Sequence, residues 1–123
     1  TQKEQAVFAC KAALTQLDVL KEMKLSGSAE GYPNHQAVLM GWGVATGRVT
    51  MAHYSSRSAD LALVGDSTNL AFRLSGMANK DIASPIVICS QTADLVRDTL
   101  SLFDLGLVDV RGRTGKEHVF GLR

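Results

Sequence analysis

Along residues 4 to 24, Val7, Cys10, Leu14, Leu17 and Leu20 recur at helical spacing, with Lys and Gln between them. That period predicts an amphipathic helix built of strong helix formers and ending before Ser26-Gly27. "SGSAEGYPNH" has the composition of a loop. The apolar run "QAVLMGWGVATG" predicts a largely buried strand, in which Gly41 and Gly43 admit a close neighbour or a bulge. A turn at Thr46-Gly47-Arg48 is expected to return "VTMAHY" as a second strand pairing back on the first. The polar "SSRSA" then leads into a strand "DLALV". Gly65 breaks that strand, and either Asp66 or Ser67 is placed to cap a helix running to about Asn79. "SPIVICS" reads as a short buried strand. "SQTADLVRDTL" reads as a helix with Ala93, Leu95, Val96 and Leu100 on its apolar side. The tail, "FDLGLVDV" and "HVFGL" around the turn "RGRTGKE", reads as a hairpin.

Strands alternating with helices on a short chain imply an α/β two-layer sandwich (α+β), with helices covering one face of a mixed sheet. With 123 residues and no linker or repeat, residues 1–123 form a single domain. The opening helix has no strand before it to pack beside. The domain is therefore expected to be partial, truncated at its N-terminus, and its open sheet edge is expected to favour self-association.

Composition narrows the function classes. A formal net charge of +1 gives no general attraction to nucleic acid or to an anionic membrane, so any basic site must be local. No apolar run approaches the ~20 residues that span a bilayer, and a cytoplasmic location is expected. Cys10 and Cys89, far apart in the chain, read as small buried thiols in a reducing compartment. His35, His53 and His118 are isolated and build no metal-ligand spacing.

The stretch "LVGDSTNLAFRLSG", residues 63 to 76, carries the chemistry. On a helix beginning near Ser67, Asn69 and Arg73 stand four residues apart on one face, with Asp66 on the same side at the first turn. Leu70, Leu74 and Met77 form a separate stripe suited to the core, so the polar pair is expected to point away from the interior. Asn offers a donor and an acceptor. Arg offers a permanent charge in a planar fork matched to phosphate oxygens. A strand-Gly-helix passage also presents free N–H groups to an anion.

"GVATGRV", "LVGDSTNLAFRLSGMA", "PIVICSQTADLV" and "FDLGLVDVRGRTGKEHVFGL" resemble, in order and spacing, the second half of the class III adenylate/guanylate cyclase catalytic domain. The resemblance runs from about residue 4 to residue 122. It implies a ferredoxin-like core and head-to-tail pairing, either as a homodimer or with a metal-bearing cyclase domain. Nucleotide sites would lie at the interface. The substrate would be ATP or GTP, attacked by its own 3′-hydroxyl at the α-phosphorus with pyrophosphate leaving. Asn69 matches the family residue that orients the ribose. Arg73 matches the one that stabilises charge on the α-phosphate.

Several positions depart from the family pattern. The strand and hairpin that carry the two metal-binding aspartates would precede the opening helix. Mg or Mn is thus expected for the complete domain, with no metal held by this chain, and the chain alone is expected to be inactive. The purine-reading position falls on Ala62, which has no side-chain hydrogen bond to offer. Asp60, two residues earlier on the same strand face, is the candidate substitute, and it reads equally as a charged strand start. Ala45 stands where the family has a strand-end His.

Arg111, Arg113 and Lys116 of the closing turn are candidates for the basic residue that meets the triphosphate, against the plain reading of a solvated turn. That turn is not a Walker A loop, because Val110 and Glu117 occupy positions where a Gly and a Ser or Thr are required. Asp66 reads as a helix cap and Trp42 as a core or dimer contact. The alternative function is a catalytically silent cyclase-like module for dimerisation or nucleotide sensing; a third is a plain structural domain.

Overall fold

A computed structural model describes residues 1–25, 40–53 and 61–123. Helix α1 (Gln2–Leu25) is followed by β1 (Trp42–Val44), β2 (Thr50–His53), β3 (Leu61–Val64) and α2 (Asp66–Met77). Strand β4 (Ile86–Cys89), helix α3 (Ser90–Val96), and the strands β5 (Leu102–Asp109) and β6 (Lys116–Leu122) complete the order. The main sheet runs β1-β4-β6-β5, with β1 parallel to β4 and the other pairs antiparallel. Helices and a mixed sheet give the α+β class that the sequence pattern implied.

Two pairings differ from the sequence reading. Strand β2 does not return onto β1; it pairs with β3, with Thr50 opposite Val64 and His53 opposite Leu61, as a separate two-stranded sheet. The partner of β1 is β4. All four residues of β4 are buried, so it has to be an inner strand with a neighbour on each side, and β1 and β6 are those neighbours. The largely buried strand expected over residues 36–47 is observed as Trp42–Val44, where all three residues are half-buried, and residues 36–39 lie outside the described residues.

The sandwich has a third layer. Ile86 and Ile88 of β4 face α1 and α3, joining Cys10, Ala13, Val96, Phe120 and Leu122 in one core. Val87 and Cys89 face the other way, joining Leu70 and Leu74 of α2, Val110 and Val119 in a second core. Helices therefore cover both faces, because a strand alternates its side chains and each face of β4 is apolar. Each fully buried Ile or Leu contributes roughly 1.5–3 kcal/mol of apolar burial.

The seat of α2 is set by β1. A Cβ on Gly43 would collide with the Ala71 carbonyl, lie 2.5 Å from the Ser75 nitrogen, and reach 3.0 Å from the Leu74 Cβ. One on Gly41 would lie 2.6 Å from the Ala78 Cβ. The helix thus rests on the strand's bare backbone. At its far end Asn79, at φ 61°, adopts the left-handed conformation that Asn tolerates. Its Nδ2 donates to the Met40 carbonyl at 2.8 Å. Helix α2 ends two residues short of the expected boundary for that reason.

Trp42 belongs to the α1 core as a partly buried member, and its Nε1 donates to Gln16 Oε1 at 2.6 Å. Thr92, fully buried, bonds Thr46 at 2.8 Å and the Cys89 sulfur at 3.2 Å, tying the end of β1 to the start of α3. Cys10 and Cys89 are buried free thiols, as the sequence implied.

Two predictions arise from this packing. Gly43→Ala is expected to destabilise the domain by roughly 1–3 kcal/mol, since both strand and helix backbones must give way. An unchanged urea midpoint would contradict the close seat of α2. Burial foremost, and the neighbouring Cys89 second, push the Cys10 thiol from 9.0 up to about 11. The unfolded chain releases this proton from pH 9.0 upward while the folded chain retains it. Stability therefore falls across that window, on the order of 1 kcal/mol per pH unit. The decline should be smaller in Cys10→Ala; identical slopes in the two proteins would remove Cys10 as its source.

Candidate functional site

Helix α2 presents two stripes. Leu70 and Leu74 are buried against the sheet and fix its rotation. Asn69 and Arg73 lie on the adjoining stripe, one turn apart. Asn69 is exposed as expected, and its side chain makes no hydrogen bond among the described residues. Arg73 differs from the expectation of an outward-facing residue. Its side chain is half-buried, and Nη1 is shut off from solvent with no hydrogen-bond partner. A buried guanidinium nitrogen left unpaired costs free energy that a bound anion would recover.

What covers Arg73 is the turn between β5 and β6. Val110, 2% exposed, anchors the start of that turn in the α2 core, and the Arg113 N–H donates to the Val110 carbonyl at 3.1 Å. Gly112, at φ +84°, lies against the guanidinium: a Cβ there would come within 3.0 Å of Cζ and Nη2 and collide with Nη1. Glycine is required on both counts, since the backbone is left-handed and the contact leaves no room for a side chain.

The first turn of α2 differs from the sequence reading as well. Neither Asp66 nor Ser67 is the N-cap. Gly65 holds that position without a side-chain cap, and Asp66 is the first helical residue. The Asp66 carboxylate instead accepts from Arg113 Nη1 at 2.5 Å, and Arg113 Nη2 lies 3.4 Å from Glu117. Ser67 donates to the Arg48 carbonyl at 3.2 Å. A cation 47 positions away in the chain outcompetes the local N–H groups for the carboxylate, because a charged partner makes the stronger hydrogen bond.

The fold thus sets the Arg111–Arg113 turn against α2, with Gly112 on Arg73 and Arg113 on Asp66. Arg111 is exposed and has no ion-pair partner among the described residues. Lys116 is engaged with Asp109 at 3.2 Å at the base of the hairpin. Ala62 lies in β3 opposite Ala52, on the strand that leads through Gly65 into α2. Asp60 lies outside the described residues. Neither the closure of the turn over Arg73 nor the Asp66–Arg113 pair was read from the sequence. The Gly flanked by two Arg in "RGR" was the available signal, and it names no partner.

Among the described residues, no three His, Cys, Asp or Glu side chains come together as a metal site. No described helix is long and apolar enough to cross a membrane. On the other side of α2 a cavity of about 390 Å³ is bordered by Gly43, Ala45, Val49, Leu63, Ala71 and Phe72. It contains none of the sequence-predicted site residues except the substituted strand-end position, Ala45.

No family model matches the chain, and no curated protein matches it in sequence. Solved structures do. A bacterial light-regulated adenylyl cyclase superposes with a TM-score of 0.78 at 21% identity, over 98% of this chain and 34% of that one. The adenylyl cyclase CyaB from P. aeruginosa gives 0.68 at 21% identity, over 94% of this chain and 58% of that one. The guanylate cyclase domain of RhGC from Catenaria anguillulae, solved in complex with GTP, gives 0.55 at 24% identity, over 64% and 41%. The chain has the fold of the class III cyclase catalytic domain, and it spans between about a third and somewhat over half of those chains.

Arg73→Met keeps the length of the stem and removes the unpaired nitrogen. In the absence of anions it should leave the thermal midpoint unchanged or raise it, as expected of a site that sacrifices stability for binding. A fall of several degrees would mean that Arg73 holds the fold together rather than serving a ligand.

Proposed function

We propose that this chain is the transition-state half of a class III nucleotidyl cyclase site, acting in cyclic-nucleotide signalling inside the cell. The observation that carries the reading is the solvent-shielded, unpartnered Nη1 of Arg73 beside the free amide of Asn69. A half-buried cation with a shielded nitrogen and no counter-charge among the described residues is suited to an anion. In the reaction, the 3′-hydroxyl of ATP or GTP attacks the α-phosphorus and loses its proton. The bond from the α-phosphorus to the β-bridging oxygen breaks, and pyrophosphate leaves. Asn69, whose amide both donates and accepts, holds the ribose in register for that attack. A guanidinium carries a permanent charge and is neither a general acid nor a general base, so the role of Arg73 is electrostatic: its fork opposes the charge that grows on the α-phosphate oxygens. Arg111 is the free cation for the departing pyrophosphate. Mg or Mn and its carboxylates belong to the complementary half of the site. Base choice between ATP and GTP falls to the segment holding Asp60 and Ala62.

A site divided in this way needs two chains. Phe72 is 75% exposed, Met51 63% and Leu63 53%, on α2, β2 and β3 respectively. Apolar residues of this size, clustered beside the site, support pairing with a second copy or with a metal-bearing cyclase domain. The silent, nucleotide-sensing alternative draws on Ala62, which offers no side-chain hydrogen bond at the base-reading position.

The test is cyclic-nucleotide formation from ATP and from GTP with Mn²⁺ or Mg²⁺, for this chain alone and mixed with a metal-bearing cyclase half. Activity is expected only in the mixture, and Arg73→Ala should cost roughly 100- to 1,000-fold in turnover. Nucleotide binding without turnover would favour the sensing module, and neither would sink both readings. Phe72→Glu is expected to weaken association on the order of tenfold or more. An unchanged sedimentation profile would place the interface elsewhere.

A further inference from the structure

The turn "VRGRTG" carries two arginines that the sequence treats alike, and the fold treats them differently. Arg111 is exposed and unpaired among the described residues. Arg113 is 29% exposed and held between Asp66 at 2.5 Å and Glu117 at 3.4 Å. Asp66 belongs to α2 and Glu117 to β6, so this one guanidinium joins the helix to the hairpin. Between Arg113 and the buried Val110 lies Gly112, the residue pressed against Arg73.

We infer that the turn from Val110 to Gly115 is a latch, closed by the Arg113–Asp66 ion pair, that holds Arg73 in position through Gly112. Arg113 and Asp66 are positioning residues and do not contact nucleotide; their effect on turnover rests on the cyclase reading above, whereas their effect on Arg73 does not. Arg73 Nη1 has no bond of its own, and among the described residues the fork is held by packing. The packing comes from a backbone segment with no side chain, and that segment is tied at one end by burial of Val110 and at the other by the ion pair. The pair has a second consequence. A carboxylate in the first turn of a helix repels an incoming phosphate, and engagement by Arg113 offsets that charge. Of the three basic residues in the hairpin, Arg113 and Lys116 are engaged by carboxylates of this chain, which leaves Arg111 for the ligand.

The experiment follows solvent exchange of the Arg73 guanidinium N–H groups by NMR, in this chain and in four variants, with a thermal melt confirming that each is folded. Asp66→Asn and Arg113→Gln are each expected to speed exchange at Arg73 roughly two- to fivefold, the size set by an exposed ion pair. The charge-swapped double variant, Asp66→Arg with Arg113→Asp, should recover most of the unsubstituted rate. Gly112→Ala, which drives a methyl group into the guanidinium, should have the largest effect, roughly tenfold or more. Exchange at Arg73 that is unchanged in both single variants overturns the latch, as does a swap worse than either single change.

In the turnover assay with a metal-bearing half, Arg113→Gln should lower kcat with KM unchanged, and Arg111→Ala should raise KM. A raised KM with normal kcat in Arg113→Gln would make Arg113 a phosphate contact and overturn its positioning role. If the unsubstituted protein shows neither turnover nor nucleotide binding, the cyclase reading and the latch's catalytic consequence both fall, and the exchange data still decide the latch itself.

Discussion

Everything that matters at the site follows from how closely α2 lies on β1. The Ala71 carbonyl and the Ser75 nitrogen occupy space that any side chain at Gly43 would need, and Ala78 does the same at Gly41. With two bare positions on that face of the strand, the helix approaches the sheet backbone and sinks Leu70 and Leu74 beside Val87 and Cys89. Once those leucines are buried the rotation of the helix is fixed, because residues three and four apart share a stripe. The stripe beside them then has one place to go, the end of the β5–β6 hairpin.

That placement explains an arrangement that stability alone would not select. An arginine nitrogen is shielded from water and left without an acceptor, under a turn that only glycine can close. Elsewhere in the described chain, buried polar groups are satisfied: Thr92 bonds both Thr46 and Cys89, and Ser84 donates to the Ile86 carbonyl. A buried unsatisfied group in a folded protein calls for a reason, such as strain, a bound water or ion, or a catalytic role. The contrast within one small domain is what separates Arg73 from an ordinary surface arginine such as Arg97, which pairs with Asp94.

The two sides of α2 have different surroundings. One side carries Asn69 and Arg73 and meets the hairpin turn. The other, with Ala71 and Phe72, borders the 390 Å³ cavity together with β1 and the separate β2–β3 ribbon. That ribbon contributes nothing to the main sheet, and it places Met51 and Leu63 in solvent. An element that leaves the sheet to expose apolar residues beside a site is the form expected of an assembly surface.

The local elements were legible because their signals are local. The period of α1, the apolar block of β4 and the Gly-rich turn of the closing hairpin each identified an element within a few residues of its observed bounds. The spacing of Asn69 and Arg73 likewise places them on one helical stripe. The parallel pairing of β1 with β4 was not legible, since "IVIC" is apolar on both faces and names no neighbour. The third layer was hidden for the same reason. Asp66 looked like a cap because the local N–H groups were the only partners in view, and its real partner lies 47 residues on. The burial of Arg73 came from Gly112, whose φ and contact exist only in the folded chain. Sequence determined which residues carry periodicity and charge; the tertiary structure decided which of those charges find partners, because ion pairs and close backbone contacts depend on distances between elements that are far apart along the chain.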